Sequence, residues 1–511
     1  MTINWTAFVV FLLLFLLATV VGFGSGRWRR GDLNLLDEWG LGGRRFGTLI
    51  TWFLLGGDLY TAYTFIAVPA LVFGAGAMGF FAVPYTIVVF PIMYLVMPRL
   101  WAVSKKNNYV TPADFVRGRY QSRGLALAVA VTGILATMPY IALQLVGIQA
   151  VLTVMGISGT GILHDLPLII AFAVLAIYTY VSGLRAPALT AIVKDLLVYI
   201  TIIVAIFFIS SKLGGFGHIF AVANATLPAK KGALILSPKL DLAFATLAVG
   251  SAFALLLYPH VVTGTLAAKS GRTVQRNAAL LPLYSIALAF IALLGYMAIA
   301  AGIHTKVTSL VVPLLFLKEF PAWFAGFAFA AIAIGALVPA SIMSIAAANL
   351  FTRNIYKEYF DKNCTPKQES NVAKIVSLVV KAGAVVFVLA LPLTYAINLQ
   401  LLGGLWILQT MPSIMFALYT RWFHRTALLI GWLVGMVLGT GMAVAEHFKS
   451  SLYPFHLGAT VLLGYAGVWA VVINILVAVV LTWVFNAMKL SNGEDETTQS
   501  DYQVRREASG S

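Results

Sequence analysis

The chain reads as an all-α integral membrane protein with about thirteen transmembrane helices, and three observations carry that reading. First, 60% of its 511 residues are hydrophobic and only 10% are charged, where an ordinary soluble domain carries about 25% charged residues. Second, the apolar residues come in runs close to the roughly 20 that cross a bilayer core about 30 Å thick. Third, the charges gather between the runs and are lopsided: 34 Lys and Arg against 18 Asp and Glu give a formal charge of +16. The apolar fraction excludes intrinsic disorder, and the single Cys364 excludes a disulfide scaffold.

The runs lie near 6–24, 48–73, 79–98, 124–155, 164–181, 188–211, 241–265, 278–302, 324–351, 372–395, 398–420, 425–446 and 461–488, numbered here as spans 1 to 13. Residues 124–155 fit one long tilted helix. Span 1 has no charge before it and Arg27, Arg29, Arg30, Arg44 and Arg45 after it. Inside loops collect Lys and Arg, so the N-terminus is expected outside and, after thirteen crossings, the C-terminus inside. Span 1 lacks the basic n-region and small-residue cleavage site of a signal peptide. On this orientation 25 of the 34 basic residues fall inside, seven fall outside, and Lys194 and Lys381 lie within spans. The positive excess is thus a topology signal. The expected surrounding partner is membrane lipid, and nucleic acid is not expected.

Loops this short leave function to the membrane itself: a transporter, an intramembrane enzyme, or a channel or sensor. Ionisable groups within spans discriminate, because each is costly in lipid and functional by default. They are Asp58 in span 2, Lys194 and Asp195 in span 6, His260 near the end of span 7, and Lys381 in span 10. No HExxH, paired-Asp or Ser/His arrangement falls within the spans, so an enzyme lacks its chemistry, and no charged ring suggests a channel. Transport is the expected class. Its best sequence pointer is a pair of broken helices at matching places in two halves. Span 2 carries Gly56-Gly57-Asp58 roughly nine residues in, about 14 Å deep. Span 7 carries Gly250-Ser251 at a similar depth. Spans 2–6 and 7–11 would then be two repeats, and because five is odd the second is inverted. Glycine for close packing is the plainer reading of each.

Several strings carry a family resemblance: Leu33-Asn34-Leu35-Leu36-Asp37-Glu38-Trp39-Gly40-Leu41-Gly42-Gly43-Arg44, Thr111-Pro112-Ala113-Asp114-Phe115-Val116-Arg117-Gly118-Arg119-Tyr120, Thr265-Leu266-Ala267-Ala268-Lys269-Ser270, and one beginning Leu399-Gln400-Leu401-Leu402-Gly403-Gly404-Leu405-Trp406. With these, the last string being taken from Leu399 to Pro412, the chain resembles the sodium:solute symporter family up to about residue 489, and most resembles its bacterial monocarboxylate permeases. The resemblance implies a LeuT-type five-plus-five inverted repeat with one extra helix before it and two after. It implies alternating access and symport of lactate, pyruvate, acetate or propionate, no cofactor, and a bacterial inner-membrane location. The expected units are 1–47 (first helix and inside loop), 48–211 and 241–420 (the two repeats), 212–240 (an outside loop), 421–489 (two closing helices) and 490–511 (a disordered tail).

The chain also departs from its family. The usual sodium site takes backbone carbonyls at the span 2 break, which carry over onto Gly57 and Tyr60, and two hydroxyls in span 9. Ungapped alignment puts those hydroxyls on Val338 and Pro339, which have none. Ser341 and Ser344 lie one turn further and could substitute if the helix shifts. In span 6 the family's acid is lost at Ala191, and Lys194 takes the place of a glutamine. Two readings follow for Lys194. It stands in for sodium, paired with Asp58, and the symport is proton-driven; or it reaches the inside interface beside Asp195. H⁺ is favoured over Na⁺ as the coupling ion. Lys381 is expected to reach the inside interface as well. For a small carboxylate, the candidate contacts are Tyr60, Thr61 and Thr64 in span 2, Tyr140 and Gln144 in span 4, Ser251 in span 7 and, from the resemblance, Gln409 in span 11. His260 is expected to be structural or a gate. A sodium-coupled carrier of another small solute, such as proline or pantothenate, is the alternative.

Overall fold

The computed structural model describes residues 3–29, 31–157, 162–230, 232–390 and 396–504. Each of the thirteen predicted spans contains a helix, and ten helices among the described residues are long and apolar enough to cross a membrane. Spans 1, 4 and 9 are Trp5–Gly24, Arg123–Val154 and Ala322–Phe351. Span 9 forms the centre and packs against spans 1, 4 and 6. Its alanines and glycines permit that crowding, as small residues do between membrane helices. A Cβ on Gly326 would sit 2.2 Å from the Ala7 carbonyl of span 1.

Spans 2 and 7 are both broken, as the two-repeat reading requires. Span 2 runs as a helix from Thr48 to Gly57, unwinds, and resumes through Tyr63–Ala67 into Val68–Ala75. Span 7 runs from Asp241 to Leu257 and restarts at Pro259–Leu266. The expected break at Gly250 is therefore corrected: the helix passes straight through it, and extended backbone comes only at Tyr258 (φ −58°, ψ 133°). Proline ends the helix before it because its ring clashes with the preceding turn. Gly250 serves contact, since a Cβ there would meet Tyr465 at 2.6 Å.

The ends of the bundle differ. At the basic end, three short helices (Leu36–Leu41, Pro112–Tyr120 and Gly271–Leu280) lie between spans. The second has a full capping box: Thr111 Oγ1 accepts from Asp114 N at 3.0 Å, and Asp114 Oδ2 accepts from Thr111 N at 3.3 Å. Buried Arg185 holds the first, donating to the Glu38 carbonyl at 2.7 Å and pairing with the Glu38 carboxylate at 2.5 Å. At the opposite end an antiparallel hairpin, Leu452–Leu457 with Thr460–Tyr465, precedes the last helix, Ala466–Ala487. Residues 461–465 are thus strand, and span 13 begins at 466.

The tail also differs from expectation. Residues 490–504 pack along the basic end: Asp495 pairs with Arg119 at 3.0 Å and Arg421 at 3.2 Å, and Tyr502 is buried. Residues 505–511 lie outside the described residues. Lys381 is fully buried, with Nζ 3.5 Å from the Ser377 carbonyl, and so does not reach an interface.

Candidate functional site

The unwound stretch of span 2 frees backbone groups that no helix satisfies, and within a membrane each must find a partner in the protein. Tight turns serve some, with Leu59 N and Tyr60 N both on the Gly56 carbonyl, and side chains serve others. Gln144 of span 4 accepts from Ala62 N at 3.0 Å and donates to the Tyr140 carbonyl at 3.2 Å. Thr64 Oγ1 accepts from Thr61 N at 3.2 Å and donates to the Leu59 carbonyl. Thr61 Oγ1 accepts from Tyr63 N at 3.0 Å. Three of the predicted solute contacts, Thr61, Thr64 and Gln144, are therefore occupied in holding the break.

The remaining carbonyls are met by Lys194. Its Nζ donates to the Gly57 carbonyl at 2.6 Å and the Tyr60 carbonyl at 3.1 Å, and lies 2.9 Å from Asp195 Oδ1. An ammonium has three N–H donors and no acceptor. Two of these donors meet carbonyls, and Asp195 Oδ1 adds an ion-pair contact outside hydrogen-bond geometry, so the surroundings suit the charged form. Lys194 and Asp195 are both fully buried. The predicted partner, Asp58, is thus replaced by the adjacent Asp195. Asp195 is itself held from the second repeat: Tyr284, in the span 8 helix Pro282–Ala300, donates its hydroxyl to Asp195 Oδ2 at 2.6 Å. The Tyr284 carbonyl accepts from the Tyr60 hydroxyl at 3.0 Å.

Span 9 offers this centre no hydroxyl. Gly335 marks the facing side, since a Cβ there would lie 3.8 Å from the Tyr60 carbonyl. At 3.6 residues per turn, Val338 and Pro339 fall within about 60° of that side, while Ser341 is about 120° and Ser344 about 180° away. Ser341 Oγ instead donates to the Leu337 carbonyl at 3.1 Å and accepts from Thr179 at 3.3 Å, and Ser344 donates to the Ser341 carbonyl at 2.8 Å. Neither serine substitutes for the missing pair.

Where the two breaks approach each other lies a second group of polar side chains. Asp58 Oδ2 is 3.6 Å from His260 Nε2, and both side chains are buried. The Tyr140 ring stands 5.5 Å from His260 and 5.2 Å from Tyr258, and Tyr63 stands 6.3 Å from Tyr85. Ser251 Oγ, the Tyr63 hydroxyl, Asp58 Oδ1 and both His260 ring nitrogens are buried without a hydrogen-bond partner. Buried polar atoms are ordinarily paired, and a carboxylate solute with two acceptor oxygens suits the hydroxyl donors. A cavity of about 20 Å³ touches Asp58 among apolar walls, room for about one water. Of the predicted contacts, Tyr140 belongs to this group, while Ser251 lies seven residues before the span 7 break, about 10 Å along the helix. Gln409 does not: its amide donates to the Leu405 carbonyl at 3.0 Å and receives Asn474 of span 13 at 3.3 Å. Tyr63 and Tyr284 had no sequence signal, since a tyrosine in an apolar run reads as packing.

At the basic end, outside the spans, Glu369 accepts from Arg353 at 2.8 Å and Lys357 at 2.9 Å. Burial pushes the Glu369 carboxyl up, but the two cations outweigh it and hold it below the usual carboxylate range.

The sequence profile of the sodium:solute symporter family matches residues 39–439. The chain is 55% identical over 481 residues to a monocarboxylate transport permease protein of Rhizobium johnstonii, covering 94% of this chain and 97% of that one. It is 34% identical over 486 residues to an uncharacterized symporter, YodF, of Bacillus subtilis, with 94% of each chain covered. Among solved structures, a Na⁺-coupled sialic acid symporter in a substrate-bound outward-open state superposes with a TM-score of 0.76 over 94% of this chain and 98% of that one, at 17% identity. That likeness is one of fold.

Proposed function

The chain belongs to the sodium:solute symporter family, and from that premise we propose that it imports small monocarboxylates such as lactate, pyruvate, acetate or propionate, coupled to H⁺. The substrate class draws on the relative that is 55% identical and carries the name monocarboxylate transport permease. The coupling draws on one observation: Lys194 Nζ sits on the Gly57 and Tyr60 carbonyls at 2.6 and 3.1 Å. Sodium is a hard cation that wants such oxygens. An ammonium already there excludes it, and Val338 and Pro339 withhold the remaining ligands.

The chemistry of the cycle follows from donor count. Protonated, Lys194 donates to both carbonyls and pairs with the charge of Asp195. Deprotonated, the amine has two N–H bonds and a lone pair, so one of the three oxygens loses its donor and faces that lone pair. Two N–H bonds still suffice for the two carbonyls of the break, so the partner that is lost is Asp195, which links protonation to the contact between span 6 and the Tyr284 hydroxyl of span 8. One proton moving with one monocarboxylate carries no net charge. We take the chain to lie in a bacterial inner membrane with its basic end inside, because inside loops collect Lys and Arg.

The test is uptake of labelled lactate by proteoliposomes under an imposed pH gradient or an imposed sodium gradient. Accumulation driven by the pH gradient without sodium is expected. A strict sodium requirement would sink the lysine reading. Competition by acetate and pyruvate, with proline and alanine weaker, is expected for the solute class. If no monocarboxylate competes, the substrate reading is wrong.

A further inference from the structure

We propose that Tyr284 is the positioning residue of the coupling centre: its hydroxyl orients the Asp195 carboxylate so that the other oxygen faces the Lys194 ammonium. The inference rests on the reading of Lys194 as the proton carrier. Tyr284 touches neither the solute-facing hydroxyls nor the Lys194 nitrogen by any hydrogen bond given above; it acts through Asp195.

Four observations meet at this residue. Its hydroxyl donates to Asp195 Oδ2 at 2.6 Å, while Oδ1 lies 2.9 Å from Lys194 Nζ. One carboxylate is therefore held from both sides, by a neutral donor and by a charged one. Its carbonyl receives the Tyr60 hydroxyl at 3.0 Å, tying the same residue to the span 2 break. Its ring lies 4.6 Å from Tyr60 and 4.7 Å from Trp52. The hydroxyl-bearing edge of its ring packs against Gly56, where a Cβ would come within 2.1 Å of ring atoms. This last contact gives Gly56 a reason to be glycine that packing between helices alone does not.

The charged and titratable groups around Lys194 are few: Asp58 and Tyr60 from span 2, Asp195 and Tyr199 from span 6, and Tyr284 from span 8. Among the described residues, only Asp195 is in ion-pair contact. In the transfer step one Nζ–H bond breaks, its electron pair stays on nitrogen as the amine, and the proton passes to Asp195 and on to water. That transfer needs Oδ1 aimed at Nζ. With Tyr284 fixed on Oδ2, rotation of the carboxylate breaks a hydrogen bond. Without it, the carboxylate turns freely, attracts the ammonium less, and the centre holds its proton less firmly. Because Tyr284 belongs to the second repeat and Asp195 to the first, the orientation also depends on how the two repeats sit.

The experiment compares wild type, Tyr284→Phe, Asp195→Asn and the double variant in proteoliposomes, reading labelled lactate uptake against pH under an imposed pH gradient. Phenylalanine keeps the ring against Gly56 and removes only the hydroxyl. Y284F is expected to move the pH of half-maximal uptake down by about one unit, roughly a tenfold change in proton affinity. In the D195N background, Y284F is expected to add no further shift. An unchanged half-maximal pH in Y284F, whatever its rate, overturns the inference, as does an undiminished shift in the double variant. Should Y284F fail to fold, or D195N carry no uptake because its ammonium is stranded, Asp195→Glu is read instead, since it keeps a carboxylate beside Lys194 and moves it off the Tyr284 hydroxyl: an unshifted half-maximal pH there overturns the inference too. The wild-type arm separates the two ideas. If wild-type uptake ignores the pH gradient, the proton reading fails and takes this inference with it. If wild type is proton-driven and Y284F shares its half-maximal pH, only the role of Tyr284 fails.

Discussion

At the scale of single residues, the chain places a fully buried lysine on two carbonyls of the span 2 break and beside a fully buried aspartate. Breaking a buried ion pair by removing one partner costs about 3–5 kcal/mol, because the other charge is stranded. Lys194→Met is therefore expected to lose both folded yield and uptake, and adding Asp195→Asn is expected to restore much of the yield and none of the pH-driven uptake. Thermal unfolding in detergent and the proteoliposome assay report the two separately. Ser341→Ala, by contrast, removes a hydroxyl that faces Thr179, and uptake is expected to stay within about twofold, a difference of under 0.5 kcal/mol. Glu369 provides a pH test outside the spans. A carboxyl held below its unfolded value contributes stability that is present above that value and is lost as pH falls through the folded one. Melting curves from pH 7 to 3 are thus expected to show a loss on acidification that is smaller in Glu369→Gln, by on the order of 1 kcal/mol for a partly exposed network. Lys194 was legible in the sequence because it interrupts a family pattern at a known depth. Asp195 as its partner and Tyr284 as the anchor were not, since Tyr284 lies 89 positions away from Asp195 and only the fold joins them.

Among the helices, what matters is how a broken one is held open. The span 2 break was legible because Gly56-Gly57-Asp58 combines two small residues with an acid in an apolar run. The span 7 break was misplaced by eight residues, because a mid-helix glycine looks the same whether it marks a break or a close contact. The spans themselves were legible from length and hydropathy alone. The hairpin was hidden, because Val461, Leu462, Leu463 and Tyr465 continue the apolar run of the last helix. Two predictions belong to the break. A Cβ on Gly57 would stand 3.1 Å from Lys194 Nζ. Gly57→Ala is thus expected to displace the ammonium and cut uptake by about tenfold, or 1.4 kcal/mol, with little loss of folded yield. Gln144→Leu would leave the Ala62 N–H without an acceptor in an apolar interior, costing about 1–3 kcal/mol. It is expected to lower the melting temperature, whereas a solute contact alone would raise only the KM for uptake.

For the whole molecule, the question is what holds the basic end together. Residues 490–504 cross that end from the last span to both repeats. Asp495 joins Arg119, in the short helix after span 3, to Arg421 after span 11. Tyr502 lies edge-on to Phe115 at 6.3 Å and beneath Arg99 at 5.7 Å. Val504 reaches Gly271, at the start of the helix leading into span 8, so closely that a Cβ there would meet it at 2.9 Å. Alternating access must open one end at a time, so a strap across these elements has to part or travel with one of them. Its two kinds of contact answer differently to conditions. Arg421 is half exposed, and pairs of that kind are worth about 0–1 kcal/mol and are screened within about 3 Å at 1 M salt. Tyr502 is buried, and truncating a buried aromatic costs about 3–5 kcal/mol where the site cannot collapse. The apolar anchor should therefore dominate. Limited proteolysis is expected to spare the tail of the wild type even at 1 M salt, and to cleave near residue 490 in Tyr502→Ala at low salt. If salt alone releases the tail, the ion pairs carry the strap. If Y502A leaves it protected, the docking of residues 490–504 does not depend on the aromatic anchor. Where Y502A does release it, faster lactate efflux than in wild type from preloaded proteoliposomes would follow from an unlatched basic end, and an unchanged efflux rate would reduce the strap to a passive covering.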